Sequence, residues 1–257
     1  DSGNGTLHIK KGGVVSNIDG YIGDNAGSKG RINITGATSQ WNSSGNLYVG
    51  KEGNGTLNIQ AGTVNSVDAF IAYNAGSIGT AGVNGADTLW SNSGNLYVGK
   101  KGTGTLNINA GAVSNTDAFI GEDTDSIGQV TVTGADSLWD NSGNLYIGGS
   151  ESSDGGEATL NIADNATVTV AGNTRIRSNA TINLSSGSLN TDTLLELGSS
   201  NINVTGGLLT VNNQTLLKTS TNTLNINGGA FSTGTLNNQS AVVPVISISD
   251  PTSGTAL

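Results

Sequence analysis

Few side chains in this chain could do chemistry, and most of those are acidic. Between Glu122 and Glu157 stand eight carboxylates (Glu122, Asp123, Asp125, Asp136, Asp140, Glu151, Asp154 and Glu157) and no Lys or Arg. Glu122, Asp123 and Asp125 are close enough in sequence to suggest a loose oxygen-liganded cation site. A solvated acidic face is the default for such a run. A second acidic set, Asp19, Asp68 and Asp117, alternates with Asn46, Asn95 and Asn144 and continues to Asn173. Asx side chains hydrogen-bond nearby backbone and mark turns. With Asn at alternate positions and no D-x-D cluster, turn formation is favoured over calcium. The single histidine, His8, fills a place that Asn58 and Asn107 take in sister segments, so it reads as a surface residue. Catalysis by paired carboxylates, by a base with a cationic or metal partner or by a G-x-S-x-G serine has no matching constellation. With no cysteine there is neither a thiolate metal site nor a disulfide framework. The expectation is a protein that is not an enzyme and uses no cofactor and no metal.

The remaining chemistry is that of aromatic rings. Tyr48, Phe70, Tyr97, Phe119 and Tyr146, preceded by Tyr21, recur at one place in a repeated phrase. Flat rings in a row can stack on one another or on a sugar face. Trp41, Trp90 and Trp139 recur 49 residues apart, each before a polar turn.

The repetition shows which elements must position these rings. GNLYVGKEGNGTLNI (45–59) returns as GNLYVGKKGTGTLNI (94–108), and its first half returns as GNLYIG (143–148). The repeat unit is 49 residues. Aligning on Ile22, Val49, Ile71, Val98, Ile120 and Ile147 gives steps of 27, 22, 27, 22 and 27, so each unit reads as two coils of unequal length. Segments such as Leu57-Asn58-Ile59 alternate apolar and polar, which is the strand period, and Gly and Asn clusters between them are turns. A fixed period of this size signals stacking, because a single coil cannot bury its own apolar face. The reading is all-β: a right-handed parallel β-helix of about ten coils, roughly 50 Å long at about 4.8 Å per rung, with the hand taken from the bias of parallel crossovers. A propeller ranks second, since it leaves the half-unit repeat unexplained.

Residues 1–149 hold three 49-residue two-coil repeats. Residues 150–240 are degenerate coils anchored on Ile176, Leu195 and Leu217, after the turn insertion ESSDGGEA (151–158). Residues 241–257 form a tail with Pro244 and Pro251 that is expected to leave the helix. The expected core includes Leu47, Val49, Leu57, Ile59, Ala69, Ile71, Val98, Ala118 and Ile120. The aromatic row lies between core positions and faces outward, either as a stack that stiffens the outer wall or is covered by a turn, or as an exposed gripping stripe. Each Trp is expected to close a corner over the core.

Composition sets the outer limits. The 257 residues include 40 Gly and carry a net charge of -9. That charge argues against nucleic acid and against anionic lipid surfaces. No apolar run is long enough to span a membrane as a helix. The chain opens inside a motif, DSGNGTLHI, as a mature fragment would.

The phrase G-N-L-Y-V-G-x-x-G-x-G-T-L-x-I, followed by I-G-x-x-A-G-S-x-G-x-[VI]-x-[VI]-x-G-A-x-S-x-W, resembles the repeat of bacterial autotransporter passengers (type V secretion), also found in some PEP-CTERM surface proteins. Residues 21–41, 45–59, 70–90 and 94–108 carry it. Residues 117–148 carry it with GEDTDS in place of the small-residue turn. The resemblance implies a right-handed β-helical passenger exported through the outer membrane and displayed at the cell surface or released. It implies an adhesin acting in cell adhesion, self-association or biofilm formation. Its partner would be a glycan or protein receptor on a host cell, or another copy of itself. The ligand-binding residues would then be the aromatic stripe Tyr48, Phe70, Tyr97, Phe119 and Tyr146. A passive stalk is the alternative, and a carbohydrate-active enzyme ranks lower.

Overall fold

The computed structural model describes residues 3–218, 222–239 and 245–249. Among them are twenty-seven strands and no helix. The strands stack in parallel register as a β-solenoid of ten coils.

Alternation of side chains builds each coil. In the second coil Lys29–Thr35 turns Ile32 and Ile34 inward and Arg31 and Asn33 outward, Gln40–Ser43 buries Trp41 and Ser43, and Leu47–Val49 buries Leu47 and Val49 with Tyr48 between them. This is the two-residue period of a pleated strand with one face on a core. All of the expected inward residues, from Leu47 to Ile120 and including Val98, are buried in one continuous column. Each fully buried Leu, Ile or Val contributes roughly 1.5–3 kcal/mol relative to exposure.

In the first six coils a turn of chain carries three strands. The first of each stacks into an eleven-stranded sheet, and the second and third form two columns that join in the ten-residue strand Thr167–Ile176. From there a coil has two strands, such as Ala180–Leu184 and Ser188–Glu196, with a register shift between Val170 and Asn173 marking the fusion.

Ile22, Val49, Ile71, Val98, Ile120 and Ile147 are mutual register partners, as their spacing requires. Along the first sheet, however, the partners Leu7, Ile32, Leu57, Ala81, Leu106 and Val130 step by 24 or 25 residues. The coils are thus nearly equal. The 27/22 alternation arises because Trp-bearing coils take a longer outward path (Ile32 to Val49, against Leu57 to Ile71) and a shorter return.

Three sequence expectations are corrected. Glu196, not Leu195, is the register partner of Ile176 and Leu217, so the anchor there is displaced by one residue. The Trp rings do not sit at corners: Trp41, Trp90 and Trp139 are mid-strand, inward and buried, with Val15, Val64 and Val113 as partners in adjacent rungs. Sugar stacking on these rings is therefore excluded. Of the tail 241–257 only Val245–Ser249 is described, and it stays on the solenoid, pairing with Thr223–Asn227 as the first strand of an eleventh coil. Pro244 and Pro251 lie outside the described residues.

Candidate functional site: an aromatic row and its Asx clamp

Every position of the phrase GNLYVG has a geometric reason. Asp19 Oδ1 accepts the backbone N–H of Asn46 at 2.7 Å, and Asn46 Oδ1 accepts that of Asp68 at 3.2 Å. The chain of bonds continues from Asp68 to Asn95 (2.7 Å), Asn95 to Asp117 (3.1 Å), Asp117 to Asn144 (2.6 Å) and Asn144 to Asn173 (2.9 Å). These residues were expected to bond locally in turns. Instead each one clamps the next coil. Gly45 is required because a Cβ there would lie 2.3 Å from Asp19 Oδ1. Leu47 and Val49 fill the core, and Tyr48 faces out. Gly50 closes the phrase at φ 78°, a left-handed conformation that suits glycine.

Beside this clamp runs the aromatic row. Ring centroids are 5.1 Å apart for Tyr21–Tyr48, 5.0 Å for Tyr48–Phe70 and 4.7 Å for Phe70–Tyr97, Tyr97–Phe119 and Phe119–Tyr146, with planes 5–11° apart. The rung spacing alone imposes this stack, and aromatic pairs of this kind add roughly 0.5–1.5 kcal/mol each beyond area burial. The two ladders also touch, since Asn46 and Asn95 Nδ2 donate to the hydroxyls of Tyr48 and Tyr97 at 3.4 Å.

Exposure along the row is uneven. Tyr21 is 44% exposed, Tyr48, Tyr97 and Phe119 are half-buried, and Phe70 and Tyr146 are 7% and 4% exposed. Turn side chains supply the cover. Tyr73 stands edge-on to Tyr48 (5.2 Å) and Phe70 (5.0 Å). The Lys51 ammonium lies 4.6 Å from the Tyr21 ring centroid, and that of Lys100 lies 4.5 Å from Tyr97. Both are geometries for cation–π attraction. Lys100 is held there by Glu122 at 2.6 Å. Burial pulls the Lys100 pKa down, but the hydrogen bond and charge of Glu122 outweigh it and the net shift is upward. Burial pushes the hydroxyls of Tyr97 and Tyr146 up. At the far end Arg175 continues the register after Tyr146 and pairs with Glu151 of the insertion at 3.4 Å. The covering residues Lys51, Lys100 and Tyr73 played no part in the sequence reading. Lys51 and Lys100 had a signal, because they stand 49 residues apart at the same place after GNLYVG.

The acidic segment is partly neutralised. Glu122 pairs with Lys100, Asp123 with Lys101 (3.7 Å) and Asp154 with Arg177 (3.8 Å). Two of the three residues first considered for a cation are therefore in ion pairs. Among the described residues no group of three His, Cys, Asp or Glu side chains could hold a metal ion. His8 lies outward in register with Asn33, its Nδ1 3.5 Å from Asn33 Nδ2.

Comparison of the chain with protein-family models, curated proteins and solved structures gives no match.

Proposed function

We propose that the protein is a surface-displayed adhesive rod, an autotransporter passenger fragment exported through the outer membrane, whose partner is a glycan or protein receptor on a host cell or another copy of itself. The observation that carries this reading is the continuous row of six outward rings, open at Tyr21 and half-open at Tyr48, Tyr97 and Phe119. On a shallow surface binding energy concentrates in aromatic and Arg anchors, and many copies on one cell turn weak contacts into avid ones. Phe70 and Tyr146, being covered, contribute to stiffness rather than to contact. A second reading, a passive spacer, draws on the same cover: Tyr73, Lys51 and Lys100 lie over much of the row.

The test is Tyr97→Ser combined with Phe119→Ser, in protein shown by its CD spectrum and melting curve to be folded. The adhesive reading expects at least a tenfold loss of cell aggregation or of ligand retention. Unchanged aggregation and unchanged retention assign the row to structure and leave the spacer reading.

A further inference from the structure

The second half of the rod contains a group that a β-solenoid core does not ordinarily hold. Glu196 ends the strand Ser188–Glu196, faces inward, and is wholly buried in register between Ile176 and Leu217. Among the described residues neither of its carboxyl oxygens has a hydrogen-bond partner. No cation faces it. On the preceding rung Arg175 and Arg177 are committed outside to Glu151 and Asp154. On the following rung Lys218 is exposed. On its own strand Asp192 is half-exposed and accepts from the Thr193 hydroxyl. The facing first-sheet strands Ala180–Leu184, Ser200–Val204 and Thr223–Asn227 carry no ionisable side chain. The buried polar residues nearby, Ser200 and Asn222, bond to each other (3.5 Å) and, through Asn222 Nδ2, to the backbone oxygen of Glu196 (3.3 Å) rather than to its carboxyl.

A bare carboxylate in such a place is costly, so the group is held neutral. The rungs beyond it lack two of the earlier ties and keep the outward ladder Asn183, Asn203 and Asn225, each amide 2.9 Å from the one before. The Asx clamp ends at Asn173, whose register partner is Thr193, and the aromatic row ends at Tyr146. In a solenoid each coil holds only its neighbours, so a weakened rung releases what lies beyond it without melting what lies before.

We propose that Glu196 is a protonation latch: with the carboxyl neutral the coils from Ser200 onward stay docked, and its ionisation lets them open as a unit while the preceding coils remain folded. Burial raises the folded pKa of Glu196 from 4.5 to about 8. The unfolded group ionises near its ordinary value. Stability is therefore fully present below about 4.5 and is lost as pH rises towards about 8. Across that window opening releases one proton, so the open-to-closed ratio rises about tenfold per pH unit and levels off above it.

Amide hydrogen exchange of the full chain from pH 5.5 to 9.5, corrected for intrinsic rates, tests this. Peptides covering 200–217 should lose protection about tenfold per pH unit up to about pH 8 and then plateau, while peptides covering 45–149 hold theirs. Glu196→Gln should abolish the pH dependence. Glu196→Leu should abolish it and also raise protection at pH 8.5. An unchanged pH profile in both variants, or equal loss of protection along the whole wild-type chain, overturns the latch.

Discussion

The first six coils and the last four share one backbone geometry but are held together differently. Up to Tyr146 every rung is tied three ways: by sheet hydrogen bonds, by the Asx clamp on the backbone, and by an aromatic ring stacked on its neighbour. Inside, Trp alternates with Val, so one large ring fills what the smaller neighbours leave. Beyond Thr167 the Asx clamp and the aromatic row run out, and the outward ladder that continues is that of the first-sheet asparagines Asn161, Asn183, Asn203 and Asn225. Long bulged strands replace the paired short ones, and where the first half buries Ser43, Ser66, Asn92, Asn115 and Asn141 the second buries Thr174, Thr191, Thr215, Ser200, Asn222 and the carboxyl of Glu196. The clamp and the ring stack constrain every coil to nearly the same residues at its edges, whereas rungs without them repeat only the Asn ladder and the size pattern of the core. The first half therefore repeats nearly verbatim, and the second half repeats only as a pattern.

The largest expected effect contrasts the two halves directly. Val98→Asp places an unpaired charge between Ile71 and Ile120 in the middle of the tied region. It should cost several kcal/mol and disrupt coils on both sides. Val211→Asp, near the far end, should melt only the coils from about Ser188 on. Denaturant unfolding followed by tryptophan fluorescence separates the two, since Trp41, Trp90 and Trp139 all lie in the first half. If both variants abolish the tryptophan transition equally, the rod is one cooperative unit and the contrast between halves fails.

A smaller effect isolates the clamp. Asp68→Ala removes the acceptor for the Asn95 N–H while leaving both Phe70 and Tyr97 in place. A hydrogen bond to a charged group is worth about 1.5–3 kcal/mol, so the free energy of unfolding should fall by that amount. Asp68→Asn should recover most of it, because Asn46 and Asn95 already perform the same role. A loss below about 0.5 kcal/mol in Asp68→Ala would mean that the stacked rings, not the clamp, hold this edge.

Much of this was legible in the sequence, and the misses have physical causes. The verbatim phrase gave the register of Ile22, Val49, Ile71, Val98, Ile120 and Ile147, because an outward ladder and an inward pair fix both facing and phase. At LLELG the same logic pointed to Leu195. An apolar residue is the natural anchor, and a one-residue slip reverses every facing, so only the register reveals that a carboxyl went inside. The Asx residues were recognised as a ladder but assigned to local turns, since spacing cannot distinguish a bond to the next residue from a bond to the next coil. The aromatic row and the chance of its being covered by a turn were legible, but the covering residues were not, because they come from turns whose path the pattern does not specify.

The smallest effect concerns one atom inside the tied half. Trp139 Nε1 donates to Asn115 Oδ1 at 2.8 Å, and Asn115 Nδ2 donates in turn to Asn141 Oδ1 at 2.8 Å. Trp41 likewise donates to Asn17 at 2.6 Å. Trp90 is fully buried, yet its Nε1 has no partner. The corresponding position one rung earlier is Ser66, whose short side chain donates to Asn92 Oδ1 at 2.6 Å and makes no bond to the indole. Asn92 occupies the place of Asn141, so Ser66→Asn recreates the whole arrangement already present around Trp139: one amide accepting from the indole and donating to the next rung. Satisfying a buried donor should stabilise the protein by about 1 kcal/mol. The reverse change, Asn115→Ser, should orphan the second indole and cost about as much. A thermal melt of the four combinations checks both, and because the sites are two rungs apart with Asn92 on the rung between them, the double variant also reads the coupling of the two effects. If Ser66→Asn instead lowers the melting temperature, the rung around Trp90 is packed too tightly for the longer side chain. The missing bond would then be the condition for that tighter core.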